Sequence, residues 1–141
     1  MFDYWVSSRM DFNMEDKRDC FETVKTIVEL AQKARVSGLL SLQQEVESSQ
    51  DHLLRTAVHL LCDSVESEDI RKILQNWIIS GNYRGRRLFK RILIMEGMLA
   101  IKQGAVAAFL VKSLLASYFG EYMMPEYTAY MKSAGFGEYW Q

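Results

Sequence analysis

The stretch that decides the fold runs from Tyr83 to Gly104 and reads YRGRRLFKRILIMEGMLAIKQG. From Ile92 onward, apolar residues fall on nearly every side of the helix that this stretch predicts, not on a single stripe. A helix that is apolar all round is stable in water only when other elements cover it. We therefore expect this helix to lie at the centre of the protein, with the other segments packed around it.

The first turns of this predicted helix carry five cations, at the end where the helix dipole is already positive: Arg84, Arg86, Arg87, Lys90 and Arg91. Cations at that end lower the stability of a helix, so their placement needs a cause. Three interpretations are open: a solvated helix end, a docking site for an acidic protein surface or a nucleic acid, or a patch that binds lipid headgroups. The preference of helix N-termini for acids favours the docking interpretations.

Length and composition predict one all-α domain. The chain has 141 residues, of which 49% are hydrophobic and 25% are charged, and it contains a single proline. A net charge of -1 does not favour general binding of polyanions, so any electrostatic function must be local. No apolar run reaches the ~20 residues that a bilayer requires, and neither a signal peptide nor a CxxC motif is present. We expect a cytoplasmic protein, with a peripheral position at the inner membrane as an alternative.

Capping residues and apolar stripes predict five to seven helices in a single compact bundle. Helices are expected to begin near Asn13, Leu39, Asp51, Ser67, Arg84, Val106 and Pro125, and glycines at positions 38, 81, 104, 120 and 135 end most of them. By these limits, residues 1–13 form an irregular aromatic N-terminal arm, residues 14–135 the all-α domain and residues 136–141 a tail.

No motif predicts catalysis, a cofactor or a metal. His59, Cys62, Asp63 and Glu66 lie on one side of one predicted helix, but a single straight helix cannot surround a metal ion. His52 and His59 have no nucleophile motif, phosphate loop or paired carboxylates beside them. We therefore expect a protein that is not an enzyme and binds neither cofactor nor metal.

Glu96 and Gly97 interrupt the apolar stretch, and we expect both to have structural roles. A carboxylate on a mostly buried helix must find a cation or a polar edge, so Glu96 is expected to pair with Arg or Lys on a neighbouring helix. Gly97 indicates that another helix approaches closely.

Two stretches resemble the cytoplasmic portion of MotA-type flagellar stator subunits, of the MotA/TolQ/ExbB family. The first extends over residues 24–74 and includes IVELAQKARVSGLLSLQQEVE, and its match is carried by Ala34, Arg35, Gly38, Leu39, Leu40 and Leu42. The second is LFKRILIMEGMLAIKQG, and its match is carried by Glu96, Gly97, Ile101 and Gly104. The two stretches occur in the family's order and together extend over residues 24–119.

The resemblance has three implications. In the family two membrane helices separate the two stretches, whereas here residues 81–85 alone do so, which implies that the ion pathway is missing. An arginine and an acid of the family's first cytoplasmic element contact the rotor protein FliG. Arg35 matches that arginine, Gln43 stands in place of the acid, and Glu45 and Glu47 lie on the same short helix. The five cations within residues 84–91 would follow from the family's preference for cations just inside a membrane.

These observations predict a non-enzymatic protein–protein interaction module that docks to a flagellar motor component or to a second copy and conducts no ions. The alternative is a basic helical adaptor that binds nucleic acid or a membrane surface through residues 84–91. The residues expected to bind a partner are Arg35, Glu45, Glu47, Arg84, Arg86, Arg87, Lys90 and Arg91.

Overall fold

The computed structural model describes residues 2–104 and 108–136, and within these ranges the chain is all-α, with no strand. The helices are α1 (Phe2–Ser7), α2 (Met14–Arg18), α3 (Phe21–Ser37), α4 (Leu42–Val46), α5 (His52–Cys62), α6 (Ser67–Gly81), α7 (Gly85–Lys102), α8 (Ala108–Ala116) and α9 (Met124–Ser133). Short 3₁₀ turns at Leu39–Ser41 and Glu121–Met123 precede α4 and α9. The predicted all-α fold is confirmed.

Helix α7 lies at the centre of the bundle, as its composition predicts. It contacts α2, α3, α5, α6 and α8. Ten of its residues are buried, namely Leu88, Phe89, Ile92, Leu93, Ile94, Met95, Gly97, Met98, Leu99 and Ile101. These residues occupy all sides of the helix, and from Ile92 onward the other residues of α7, namely Glu96, Ala100 and Lys102, are only partly exposed. Within the described ranges, no helix combines the length and the hydropathy needed to cross a bilayer.

The structure differs from the sequence expectation at the N-terminus. Residues 2–7, expected to be irregular, form α1, which packs against α6 and buries Val6. Arg9 lies just after α1, and its guanidinium is 4.4 Å from the centroid of the ring of Trp5, which lies within α1. This cation–π contact connects the end of the helix to the residues that follow it. Six residues cannot sustain a helix alone, so tertiary packing rather than a local signal orders this segment.

The long helix expected from Asn13 to Gly38 is broken in two. Asn13 does cap a helix: its side chain accepts from the Asp16 amide, and the Asp16 side chain accepts from the Asn13 amide. That helix ends after one turn, because the Cys20 amide bonds the Lys17 carbonyl at 3.0 Å in a tighter i→i+3 turn. Helix α3 then continues without a break to Gly38, whose φ of +84° ends it.

At the C-terminal end the core reaches one residue into the expected tail. Phe136 is buried, and the fully buried ammonium of Lys112 donates to its carbonyl at 2.7 Å. The hydroxyl of Tyr127 donates in turn to the Lys112 carbonyl at 2.8 Å. Residues 137–141 lie outside the described residues, as do the first residues of the helix expected from Val106.

Gly97 lies where α3 packs tightly against α7. A Cβ atom at this position would stand 2.6 Å from Cγ2 of Ile27, a separation that real Cβ atoms essentially never show. Because Cγ2 branches directly from the Cβ of Ile27, it cannot move aside without a change of rotamer. Gly97 therefore sets how near the two helix axes can lie.

Glu96, the neighbouring residue, forms a two-point ion pair with Arg71 of α6. The guanidinium nitrogens lie 2.5 and 3.4 Å from the two carboxylate oxygens, and the Glu96 side chain is 17% exposed. Burial, followed by the nearby Glu96 carboxylate, raises the pKa of Tyr118 to about 12.

We expect Gly97→Ala to lower the free energy of unfolding by about 1–2 kcal/mol, because overpacking costs more than the ~1 kcal/mol that alanine gains in a helix. In an Ile27→Ala background the same change should be neutral or stabilising, since Cγ2 is gone. Chemical denaturation of the four proteins in this cycle measures both effects. A single Gly97→Ala variant as stable as the parent would contradict the close approach.

We expect Arg71→Met to lower the free energy of unfolding by about 1–2 kcal/mol, because it leaves the largely buried Glu96 carboxylate without its cation. Adding Glu96→Gln should recover part of the loss, since no charge then remains unpaired. Lys72→Met, at the exposed neighbour on α6, is the matched control and should change stability little. Equal effects of Arg71→Met and Lys72→Met would argue against the pair as a source of stability.

Candidate docking surfaces

The first candidate surface is the α3–α4 turn, which we define as residues 35–40. Arg35 is exposed in the last turn of α3, and among the described residues it forms no ion pair. Val36 is 84% exposed and Leu40 is 69% exposed, so two large apolar side chains lie in water close to this cation. Exposed apolar residues beside a charge are typical of protein interaction sites.

Two hydrogen bonds to its carbonyl groups hold the backbone of this turn in place. The Ser41 hydroxyl donates to the Gly38 carbonyl at 2.6 Å, and the Cys62 thiol of α5 donates to the Leu39 carbonyl at 3.2 Å. Leu42, directly after the turn, is fully buried. The exposed side chains of the α3–α4 turn therefore project from a fixed backbone, which reduces the entropy that a binding partner would have to remove.

Glu45 and Glu47 lie beyond the turn, on and after α4. The Glu45 carboxylate is 3.5 Å from the Lys33 ammonium, and both side chains are close to half-exposed, so the pair is worth at most about 1 kcal/mol. Glu47 is exposed at the end of α4. Both acids remain accessible to a partner that covers the α3–α4 turn.

The second candidate surface is the basic cluster, which we define as Arg84, Arg86, Arg87, Lys90 and Arg91. Two of its cations meet carboxylates from distant parts of the chain. The Arg86 guanidinium lies 3.1 Å from Asp19, and the Lys90 ammonium lies 3.3 Å from Asp51. Asp51 has a second role, because it caps α5 by accepting from the Leu54 amide at 3.0 Å.

Two further members of the basic cluster stack on an aromatic ring. The guanidinium carbon of Arg91 is 3.6 Å from the centroid of the Tyr83 ring, and that of Arg87 is 5.2 Å from it. Arg84 precedes the first residue of α7 and is exposed. Four of the five cations thus have partners within the protein.

These partners give the cause of the unusual charge placement. Carboxylates from the α2 region and from the start of α5 lie around the N-terminus of α7, where an acid within α7 itself would otherwise be expected. The Asp16 carboxylate is a third, 3.5 Å from where a Cβ of Gly85 would stand. The sequence could not reveal these acids, because Asp51 and Asp19 lie 39 and 67 positions away from the cations they pair with and carry no pairing signal of their own.

The two candidate surfaces lie at opposite ends of α3. Asp19, which pairs with Arg86, directly precedes this helix, whereas Arg35 is in its last turn. Arg35 lies about 21 Å along the helix axis from Phe21, at the usual rise per residue. The predicted binding residues therefore divide into two separate groups. Glu96 and Gly97 belong to neither, since both lie in the interior contacts of α7.

The described residues offer little to a metal ion or to a catalytic mechanism. No group of three or more His, Cys, Asp or Glu side chains among them is close enough to share a metal. His52 lies against Trp77, with ring centroids 4.7 Å apart, and His59 is exposed on α5. The thiol of Cys20 is buried, and this burial raises its pKa to about 11, which is opposite to what a nucleophilic cysteine requires.

Sequence comparison relates the chain in part to motility proteins. No protein-family model and no solved structure matches it. It is similar to Motility protein A of Treponema phagedenis, with 34% identity over 55 residues that make up 39% of this chain and 21% of that protein. With Motility protein A of Borreliella burgdorferi the identity is 41% over 51 residues, or 36% and 20% of the two chains.

A third relative is the uncharacterised protein YtxD of Bacillus subtilis, with 34% identity over 73 residues, or 50% of this chain and 27% of that protein. The matched part thus spans about a fifth to a quarter of the length of these relatives. This partial similarity supports a relation to Motility protein A.

Proposed function

We propose that this chain is a non-enzymatic docking module that binds a protein component of the flagellar motor through the α3–α4 turn. The observation that carries the proposal is the exposure of Val36 and Leu40 beside Arg35 on a fixed backbone. Exposed apolar side chains suit the apolar centre of a protein–protein interface, and arginine is enriched among the residues that contribute most to affinity.

The sequence relations support a motor component as the partner. The relatives from two spirochaetes are named Motility protein A. The residues from Ala34 to Leu42 resemble the family element that contacts the rotor, and this element includes the α3–α4 turn. In the proposed function the chain moves no ions, because α6 is joined directly to α7 by residues 82–84 where the family has two membrane helices.

The proposed contact has a definite chemical character. A partner that covers Val36 and Leu40 needs an apolar pocket, and a carboxylate beside that pocket would pair with Arg35. Glu47 would face a cation on the same partner. The centre of such an interface is apolar, and its charges lie at the rim.

The basic cluster remains the second candidate, for a polyanion such as nucleic acid or an anionic membrane. Arg86 and Lys90 would have to leave Asp19 and Asp51 before they could bind phosphate. Arg84 is exposed and needs no such rearrangement. A polyanion would therefore compete against carboxylates that are already in place, which is why we prefer the α3–α4 turn.

Two substitutions test the preferred surface. We expect Arg35→Glu and Leu40→Asp each to reduce binding of the purified chain to the motor's rotor proteins by tenfold or more, because one reverses the rim charge and the other removes an apolar contact. Both side chains are exposed, so the free energy of unfolding should stay within about 0.5 kcal/mol of that of the parent. Affinity is measured by calorimetry and stability by circular dichroism.

Arg84→Glu is the matched control, since it reverses an equally exposed cation at the other end of α3. Binding that survives Arg84→Glu and persists at high salt supports an interface with an apolar centre at the α3–α4 turn. Binding lost with Arg84→Glu but kept with Arg35→Glu would transfer the site to the basic cluster.

Binding of the chain to DNA whose affinity falls steeply as the salt concentration rises would point to the polyanion alternative. Sedimentation of the chain alone would reveal a second copy as the partner.

A further inference from the structure

A largely apolar cavity lies between α1, α6 and α7, on a different part of the protein from both docking surfaces. Its volume is about 350 Å³, within the range of roughly 300–1,000 Å³ typical of small-molecule sites. Helix α7 contributes Phe89, Ile92 and Met95 to its lining, and α1 contributes Phe2 and Val6. The side chains around this space thus fit an apolar body, and methionine and aromatic rings adapt readily to its shape.

One polar group in the lining has its hydrogen bonds satisfied within the protein. The Glu96 carboxylate accepts from two nitrogens of Arg71. The charges of these two side chains balance each other, so neither offers an unpaired charge to a ligand.

Lys17 is different. Its side chain also lines the cavity, and its ammonium donates to the Phe119 carbonyl at 3.0 Å in a half-buried position and forms no ion pair among the described residues. An ammonium has three donors, so two are left, together with a full positive charge. Asp3, the remaining acid of the lining, is exposed on α1. The cavity therefore offers donors and a positive charge beside apolar space.

We propose that this cavity binds a small amphiphile with an unbranched apolar chain and one carboxylate, such as a medium-chain fatty acid. The ligand's carboxylate accepts hydrogen bonds from the two remaining N–H groups of Lys17, and its apolar chain lies against Phe89, Ile92 and Met95. A charge-assisted contact of this kind fixes the orientation of the ligand, while burial of the chain supplies most of the affinity. This proposal does not rest on the docking function, because the residues involved are different.

Titration of the purified chain with three matched probes tests the head group. The probes are decanoate, decanol and decyltrimethylammonium, which share the chain length and differ in charge, each used below its micelle concentration. We expect decanoate to bind saturably at one per chain, decanol to bind about tenfold more weakly, and the cationic probe not to bind. Absence of saturable decanoate binding at millimolar concentration, or equal binding of all three probes, would overturn the proposal.

Lys17→Gln is expected to lower the affinity for decanoate about tenfold and to leave that for decanol within twofold. Lys25→Gln, which changes a half-buried lysine of α3 that does not line the cavity, is the control and should affect neither. An unchanged decanoate affinity in Lys17→Gln would refute the assigned role of the ammonium.

Filling the cavity tests the position of the chain. Ile92→Phe adds volume at a buried residue of the lining and should abolish binding of both decanoate and decanol. Met10→Trp, at a lining residue that is 56% exposed, keeps the test valid if the first variant folds poorly, and it should weaken both probes. Full binding by folded Met10→Trp and Ile92→Phe proteins would place the ligand elsewhere and overturn the proposal.

Discussion

The fold depends on one requirement, which is that α7 be covered on all sides from Ile92 onward. A helix with buried residues around its whole circumference cannot lie on the surface of a small domain, so α3, α5, α6 and α8 pack around it. The two polar interruptions are consistent with this requirement. Glu96 meets a cation brought by α6, and Gly97 removes a side chain where α3 packs tightly. Stability therefore comes mainly from burial around α7, and the surface ion pairs add little.

Features that depend on local sequence could be predicted. The apolar stretch of α7 predicts its central position, Asp51 caps α5, and Gly38 ends α3 with a positive φ. Each of these is encoded within a few residues, either by periodicity or by a capping side chain. The break between α2 and α3 at Cys20 has no such signal, because neither glycine nor proline marks it. Helix α1 has no local signal in the sequence either, because it depends on contact with α6.

Where a contact joins residues that are distant in sequence, the sequence predicts that a side chain needs a partner but does not identify that partner. Glu96 had to find a cation, but nothing in the sequence singled out Arg71. The sequence leaves three interpretations open for the five cations at the start of α7, and the structure places Asp19 and Asp51 beside two of them. The exposed Val36 and Leu40 of the α3–α4 turn carry no distinctive sequence pattern, so their exposure could not be predicted.

The arrangement of α3 has a mechanical consequence. This helix runs unbroken over 17 residues, Asp19 just before it contacts Arg86, and Ile27 within it packs tightly against Gly97 of α7. A sideways load applied at Arg35 would act on a stiff lever whose pivot is the contact between Ile27 and Gly97, with arms of about 12 Å toward the load and 9 Å toward Phe21. A load applied at the α3–α4 turn would therefore reach the buried helix through the contact between Ile27 and Gly97.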